Sequence, residues 1–222
     1  PQRAYMAGNI DSVKLHLGTW LLMLLPAFVG GVLEDMTQRL RVSWRLLLTL
    51  TSGLLAWGVL GVSVPHLGFG WIDPYWAAWP WLGVGVAVLA VTGLPHAFNI
   101  IDGYNGLAGS VALVVCLALA HVALQVADRE LAAMAIALAA ATAGFLVWNY
   151  PRGLIFAGDA GAYLWGLLIA VISLLLVQRH PIVSPWFPML LLIYPVWETV
   201  FSIYRKLWRG DSPGMADALH LH

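Results

Sequence analysis

The strongest constraint on this chain is a succession of long apolar runs. Seven stretches qualify as spans, at 17–33, 44–64, 77–98, 104–127, 130–148, 160–178 and 185–204. A helix needs about 20 mostly apolar residues to cross the hydrocarbon core of a bilayer. Lipid offers backbone groups no hydrogen bonds, so only helices and closed barrels span it, and no stretch shows the period-2 alternation of a barrel strand. Pro80 and Pro95 interrupt the third run, which neighbouring helices can accommodate. The pattern predicts an all-α integral membrane protein of about seven transmembrane helices. Composition agrees: only 10% of residues are charged and 61% are hydrophobic, whereas a soluble domain carries about 25% charged residues.

No internal repeat or low-complexity linker divides the chain, so residues 1–222 read as a single polytopic domain. It starts at Pro1 and stops at His222, and we expect a domain truncated at both ends. The one cysteine, Cys116, lies inside an apolar run and has no partner for a disulfide within the chain. A formal net charge of zero gives no case for nucleic acid.

Charge orients the spans. One set of connections carries Arg39, Arg41, Arg45, Arg152, Arg205, Lys206 and Arg209; the other carries Arg3, Lys14, Arg129 and Arg179. Basic residues concentrate on the cytoplasmic side of membrane proteins. The first set is therefore expected in the cytoplasm and the N-terminus outside, with Trp71, Tyr75, Trp76 and Trp79 forming an outer interfacial belt. This parity brings Glu34, Asp35, Asp102, Asp159, Asp211 and Asp217 to the cytoplasmic face, together with His220 and His222. Ionisable groups at membrane depth are costly and point to function.

Each motif also has a plainer reading. Glu34 and Asp35 in "GGVLEDMTQRLRVSWR" suit a solvated loop, and Arg39, Arg41 and Arg45 suit positive-inside anchors. "NIIDGYNGLAG" suits an Asp-Gly turn, although Ile100 and Ile101 are apolar for an exposed one. In "WNYPRGLIFAGDAGAYLWG", Asp159 could cap the following helix. Gly158 and Gly161 clear space around it, Phe156 offers an aromatic face, and the helix start offers free amides to an anion. The pair His220 and His222 sits near Arg205, Lys206 and Arg209, which together could receive a phosphate. Glu198 falls inside the last run, and His96 just before Asn99 is a supporting candidate.

Four pieces, "GGVLEDMTQR", "FNIIDGYNGLAG", "FAGDAGAYLWG" and "RGDSPGMADALHLH", together resemble the polyprenyl-phosphate N-acetylhexosamine-1-phosphate transferases. That family includes the phospho-MurNAc-pentapeptide translocase and the GlcNAc-1-phosphate transferases of surface-polysaccharide synthesis. The resemblance covers about Gly30 to His222. It implies transfer of a sugar-1-phosphate from a UDP-N-acetyl sugar to polyprenyl phosphate, releasing UMP, in a bacterial inner membrane with the site facing the cytoplasm. It further implies Mg²⁺ held by Asp159 and Asp35, and catalytic roles for Asp35, Glu34, Asp102 and Asp159. By the same resemblance Asn99, Asn105 and Phe156 line the nucleotide side, while Arg209, His220 and His222 contact substrate phosphates. The implied partners are the sugar nucleotide, the lipid phosphate and the membrane, with a homodimer left open and no nucleic acid.

The chain departs from the family pattern in three places. The usual Asp-Asp pair reads Glu34-Asp35, the third acid of the second motif is Asn105, and a single H-L-H replaces a longer histidine run. The last points toward the branch that starts surface polysaccharides. Two rival readings remain at this level: a non-catalytic paralogue or structural subunit, and a cation or proton transporter. A transporter places its acids near the bilayer midplane, whereas these lie at span ends.

Overall fold

A computed structural model describes residues 2–209, with side chains from Gly18 onward. The chain forms α1 (Gln2–Thr37), α2 (Val42–Leu60), α3 (Asp73–Ala78), α4 (Pro80–Ile101), α5 (Leu107–Gln125), α6 (Arg129–Asn149), α7 (Gly158–Arg179), α8 (Trp186–Leu191) and α9 (Ile193–Arg209). Among the described residues, six segments are long and apolar enough to cross a membrane: Gly18–Thr37, Val42–Leu60, Pro80–Ile101, Leu107–Gln125, Arg129–Asn149 and Gly158–Arg179. The chain is a multi-pass membrane protein.

The expected seventh span, 185–204, takes a different form. A turn at Leu192 splits it into α8 and α9, and neither meets the length and hydropathy of a crossing helix. Its composition explains this. Pro188 and Pro195 interrupt the run, and the 17-residue α9 carries Glu198, Arg205, Lys206 and Arg209. Ile193, Val196, Trp197, Val200, Ile203, Tyr204, Leu207 and Trp208 are exposed along one side of α9, while Pro195, Glu198 and Ser202 are buried on the other. This is the one-sided pattern of an amphipathic helix.

Four helices form a closed ring: α1 packs on α2, α2 on α4, α4 on α7, and α7 back on α1. α5 and α6 pair as a hairpin against α7, and α9 lies on α4. α7 is the most buried crossing helix, with 72% of its span inside the protein. Accordingly its apolar residues run all round it, and Tyr163, Leu167, Ile169, Ile172 and Leu176 are fully buried. The backbone of α7 approaches its neighbours closely at Gly31 on α1 and at its own Gly166 beside Pro95. Small residues permit such approaches between membrane helices. Within α1, the Ala27 amide beside Pro26 donates to Ser52 Oγ on α2 at 3.0 Å. A side chain on a neighbouring helix thus takes up a backbone group next to the proline.

The ring sorts polar groups by face. The C-terminal ends of α1 and α4 meet the N-terminal ends of α2 and α7 on one face. On the opposite face, Gln178 donates to Gly61 O at 3.0 Å, while Arg179 and His180 reach Asp128 at 3.4 and 3.0 Å. Burial alone would raise the Asp128 carboxyl, but the Leu131 amide, His180 and Arg179 outweigh it and hold the group below the usual carboxylate range.

Candidate active site

Asp159 is the hub of the motif-bearing face. It stands in the first turn of α7. Its Oδ1 accepts from Asn99 Nδ2 of α4 at 2.7 Å, and its Oδ2 accepts from Arg45 Nη1 of α2 at 3.2 Å. The same Arg45 nitrogen lies 3.7 Å from Glu34 Oε1 of α1. Glu34 Oε2 in turn accepts the Leu40 amide at 2.8 Å, which closes the loop between α1 and α2. All four helices of the ring therefore deliver a side chain to one spot.

The start of α7 is capped from outside. No side chain of its own N-cap residue, Ala157, takes up a free amide, and the Asp159 carboxylate points elsewhere. Instead Asp35 Oδ1 accepts the Asp159 amide at 2.8 Å and Asp35 Oδ2 the Ala160 amide at 3.1 Å. An ionised carboxylate at a helix N-terminus satisfies orphan donors and complements the helix dipole. Gly158 makes room for it. Its φ is +64°, and a Cβ there would lie 2.6 Å from Asp35 Oδ2. Only glycine meets both conditions at low cost.

Asp102 closes α4 at its C-cap. Burial first, and then the charge of Asp159, push its carboxyl up to about 6. Asp102 thus lies within the field of Asp159, the acid that pairs with Arg45. Among the described residues, no three His, Cys, Asp or Glu side chains stand together as a complete metal cage. Mg²⁺ does not need one, because it usually takes one or two carboxylates and completes its shell with substrate phosphates and water. The repelling Asp102 and Asp159 are an all-oxygen donor set that fits such an ion.

The remaining expected residues are spread around this hub. Asn105 donates to Pro151 O at 3.2 Å and helps to line an open pocket of about 370 Å³ with Gly106, Leu107, Ser110 and Tyr150. Phe156 is 75% exposed in the loop before α7. Arg209 is exposed at the end of α9. Among the described residues no ion pair or hydrogen bond joins it to Asp159. His220 and His222 lie outside the described residues.

Several residues were not singled out by the sequence motifs. Arg45 looked like an anchor, and its position one turn into α2 is the only sequence signal for its role. Asn149 is buried; it accepts the Gly106 amide and donates to Ile155 O at 2.9 Å, which ties the second motif to the third. His96, by contrast, was already a supporting candidate in the sequence; it bonds through Nε2 to Thr49 Oγ1 at 3.0 Å, one turn beneath Asn99.

Apolar helical spans thus surround a carboxylate-rich polar centre built from helix ends at one face of the bundle. The chain belongs to glycosyl transferase family 4, which it matches over residues 17–177. This is the family of polyprenyl-phosphate N-acetylhexosamine-1-phosphate transferases and their relatives. It is 30% identical over 143 residues to a probable undecaprenyl-phosphate N-acetylglucosaminyl 1-phosphate transferase of Bacillus subtilis, covering 64% of this chain and 40% of that protein. It is 28% identical over 204 residues to an undecaprenyl-phosphate alpha-N-acetylglucosaminyl 1-phosphate transferase of Thermotoga maritima, covering 91% and 60%. A phospho-N-acetylmuramoyl-pentapeptide-transferase of Moorella thermoacetica is 34% identical over 151 residues, covering 66% and 45%. The chain thus spans roughly half the length of these relatives.

Proposed function

We propose that this chain carries the catalytic face of an enzyme that transfers N-acetylhexosamine-1-phosphate from a UDP-sugar to polyprenyl phosphate. The observation that carries this reading is the convergence of Glu34, Asp35, Arg45, Asn99 and Asp159, with Asp102 beside them, at the ends of four packed helices. A lipid-borne phosphate and a water-borne nucleotide can meet only at such a depth.

Each residue then has a physical task. Asp159 and Asp102 would hold Mg²⁺, which when bound offsets the charge of the diphosphate. Asn99 fixes one Asp159 oxygen, while Asp35 anchors the first turn of α7 on which Asp159 stands. Asp35 was expected as a metal ligand and catalytic residue; both of its oxygens accept α7 amides, which supports a positioning task. Arg45 provides a mobile positive charge beside the transferred group. Phe156 offers an exposed ring to the uracil, and Asn105 lines the adjoining pocket.

In the reaction a phosphate oxygen of the lipid forms a bond to the β-phosphorus of the sugar nucleotide. The bond between that phosphorus and the bridging oxygen breaks, and UMP departs with that oxygen. A phosphate monoester has a second pKa near 6, so the lipid nucleophile is largely dianionic at neutral pH and needs no strong base. Phosphoryl transfer depends mainly on positioning and charge stabilisation, which matches a site made of carboxylates, an arginine and an amide.

The test is UMP release by the native full-length protein in polyprenyl-phosphate micelles, against a panel of UDP-N-acetyl sugars with and without Mg²⁺. Release that requires both lipid and metal supports the transferase and identifies its sugar. No release with any sugar overturns the reading in favour of a non-catalytic paralogue.

A further inference from the structure

The site has a second polar tier one helical turn below Asp159. Arg45 and Thr49 are four residues apart on α2, His96 and Asn99 three apart on α4, and Asp159 and Tyr163 four apart on α7. Side chains at these spacings share a helix face. The upper tier is Arg45, Asp159 and Asn99; the lower is Thr49, His96 and Tyr163. Thr49 Oγ1 lies 3.0 Å from His96 Nε2 and 3.1 Å from the carbonyls of both Arg45 and Leu46. The single hydroxyl proton has three acceptors within reach, so the direction of the bond to His96 follows the imidazole tautomer. The His96 ring stands edge-on to Tyr163, with centroids 5.2 Å apart.

Two polar atoms of this stack find no acceptor among the described residues: Arg45 Nε and the Tyr163 hydroxyl, both buried. The hydroxyl stands beside the Arg45 guanidinium and within the field of Asp159. A buried donor left unmade costs about 1–3 kcal/mol, and here two face the same region. Arg Nε–H can only donate and a phenol O–H donates readily, so the partner that suits both is an acceptor. The adjacent positive charge favours an anionic oxygen. Tyr163 is fully buried, whereas the Arg45 side chain is 22% exposed, so Arg45 is the group that moves to admit a ligand.

We propose that the Tyr163 hydroxyl is a further substrate contact, donating to a non-bridging phosphate oxygen when Arg45 turns from Asp159 to that same oxygen. This inference rests on the phosphate-transfer reading above. The oxygen belongs either to the lipid monophosphate or to the diphosphate of the sugar nucleotide.

The experiment compares wild type with Tyr163→Phe, which keeps the ring against His96 and removes only the hydroxyl. Dodecyl phosphate and UDP-N-acetylglucosamine are titrated separately by calorimetry into the full-length protein in detergent with Mg²⁺, and Tm is measured without either. Loss of one hydrogen bond worth about 1.4 kcal/mol weakens binding about tenfold. The expected result is about tenfold weaker binding of one probe, with Tm unchanged or raised because an unsatisfied buried hydroxyl is gone. Weakening of dodecyl phosphate alone assigns the lipid phosphate, and weakening of the nucleotide alone assigns the diphosphate. Unchanged affinity for both overturns the proposal, as does a lowered Tm with unchanged affinities, which marks a structural hydroxyl. If wild type transfers sugar phosphate and Tyr163→Phe matches it in KM and kcat, this inference fails and the transferase reading stands. If wild type binds neither probe, both fail.

Discussion

Gly31→Ala is the substitution whose effect follows most directly from the geometry. A methyl group at Gly31 would sit 2.4 Å from Ala160 Cα, 2.6 Å from Ala160 N and 2.9 Å from the Asp159 carbonyl carbon. All three are backbone atoms, so no side chain can rotate away. Ordinary van der Waals contact starts at 3.4 Å, so α1 and α7 must part by about 1 Å, the difference between 3.4 and 2.4 Å. Asp35 lies one turn further along the same face of α1. The same shift would stretch its bonds to α7 from 2.8 and 3.1 Å to about 3.8 and 4.1 Å, beyond hydrogen-bonding range. Overpacking of this kind costs about 1–3 kcal/mol, and the exposed cap bonds add about 1 kcal/mol. The expected destabilisation is about 2–4 kcal/mol. A misplacement near 1 Å costs about 10²-fold in rate, here because Asp159 moves with the first turn of α7. The assays are thermal unfolding in detergent and UMP release under saturating substrates. Gly18→Ala on the same helix meets nothing within 4 Å and serves as the control that leaves both unchanged. A Gly31→Ala protein with wild-type Tm and a rate within twofold would refute the reasoning.

Further expectations follow from the charges. Asp102→Asn should raise the Tm of the Mg²⁺-depleted protein at pH 7.5 while lowering transfer sharply. The folded state holds the Asp102 proton up to about 6 against an ordinary value of 3.8, so this group's contribution to folding is most favourable below 3.8 and is lost as pH rises through about 6. The gain from Asn should therefore vanish near pH 4; it stays below about 3 kcal/mol because part of the group is solvated. Asp159→Asn should abolish metal-dependent UMP release, whereas Asp73→Asn, which keeps the oxygen that accepts the Leu67 amide at 2.8 Å, should leave the rate unchanged. Asp128→Ala removes the α6 cap on the Leu131 amide and the contacts to His180 and Arg179. It should lower Tm by an amount equivalent to about 1–3 kcal/mol without altering transfer. Since Asp128 is held below the usual range, its stabilising effect should be present at neutral pH and fade on acidification.

Most of this architecture was legible because lipid imposes a simple rule on sequence. Six of the runs became crossing helices, with boundaries shifted by a few residues. The grouping of the first three motifs on one face followed from counting those crossings, whereas the fourth, with His220 and His222, lies outside the described residues. The last run misled because its average hydropathy hid its arrangement: apolar and polar residues of α9 fall on opposite sides, and two prolines and Glu198 interrupt the greasy stretch. In the site, Glu34, Asp35, Asn99, Asp102 and Asp159 were visible as polar residues at span ends. Arg45 was not distinguishable from an interfacial anchor. Thr49 and Tyr163 were not distinguishable from ordinary helix-packing residues, since their significance comes from which helices surround them. The role of Asp35 was also hidden, because capping of α7 by α1 is a contact between elements 124 residues apart.

That long-range cap has a consequence for biosynthesis. α1 is made before α7, so the carboxylate at its end has no amides to bind until the start of α7 has been made. At about 5–20 residues per second of synthesis, the 124 residues between Asp35 and Asp159 take about 6–25 s to translate. During that interval Glu34 and Asp35 have Arg45 of α2, and later Asn99 and Asp102 of α4, but none of the α7 amides. The candidate site closes only when α7 inserts, so a nascent chain arrested before α7 holds acids and arginine but no site.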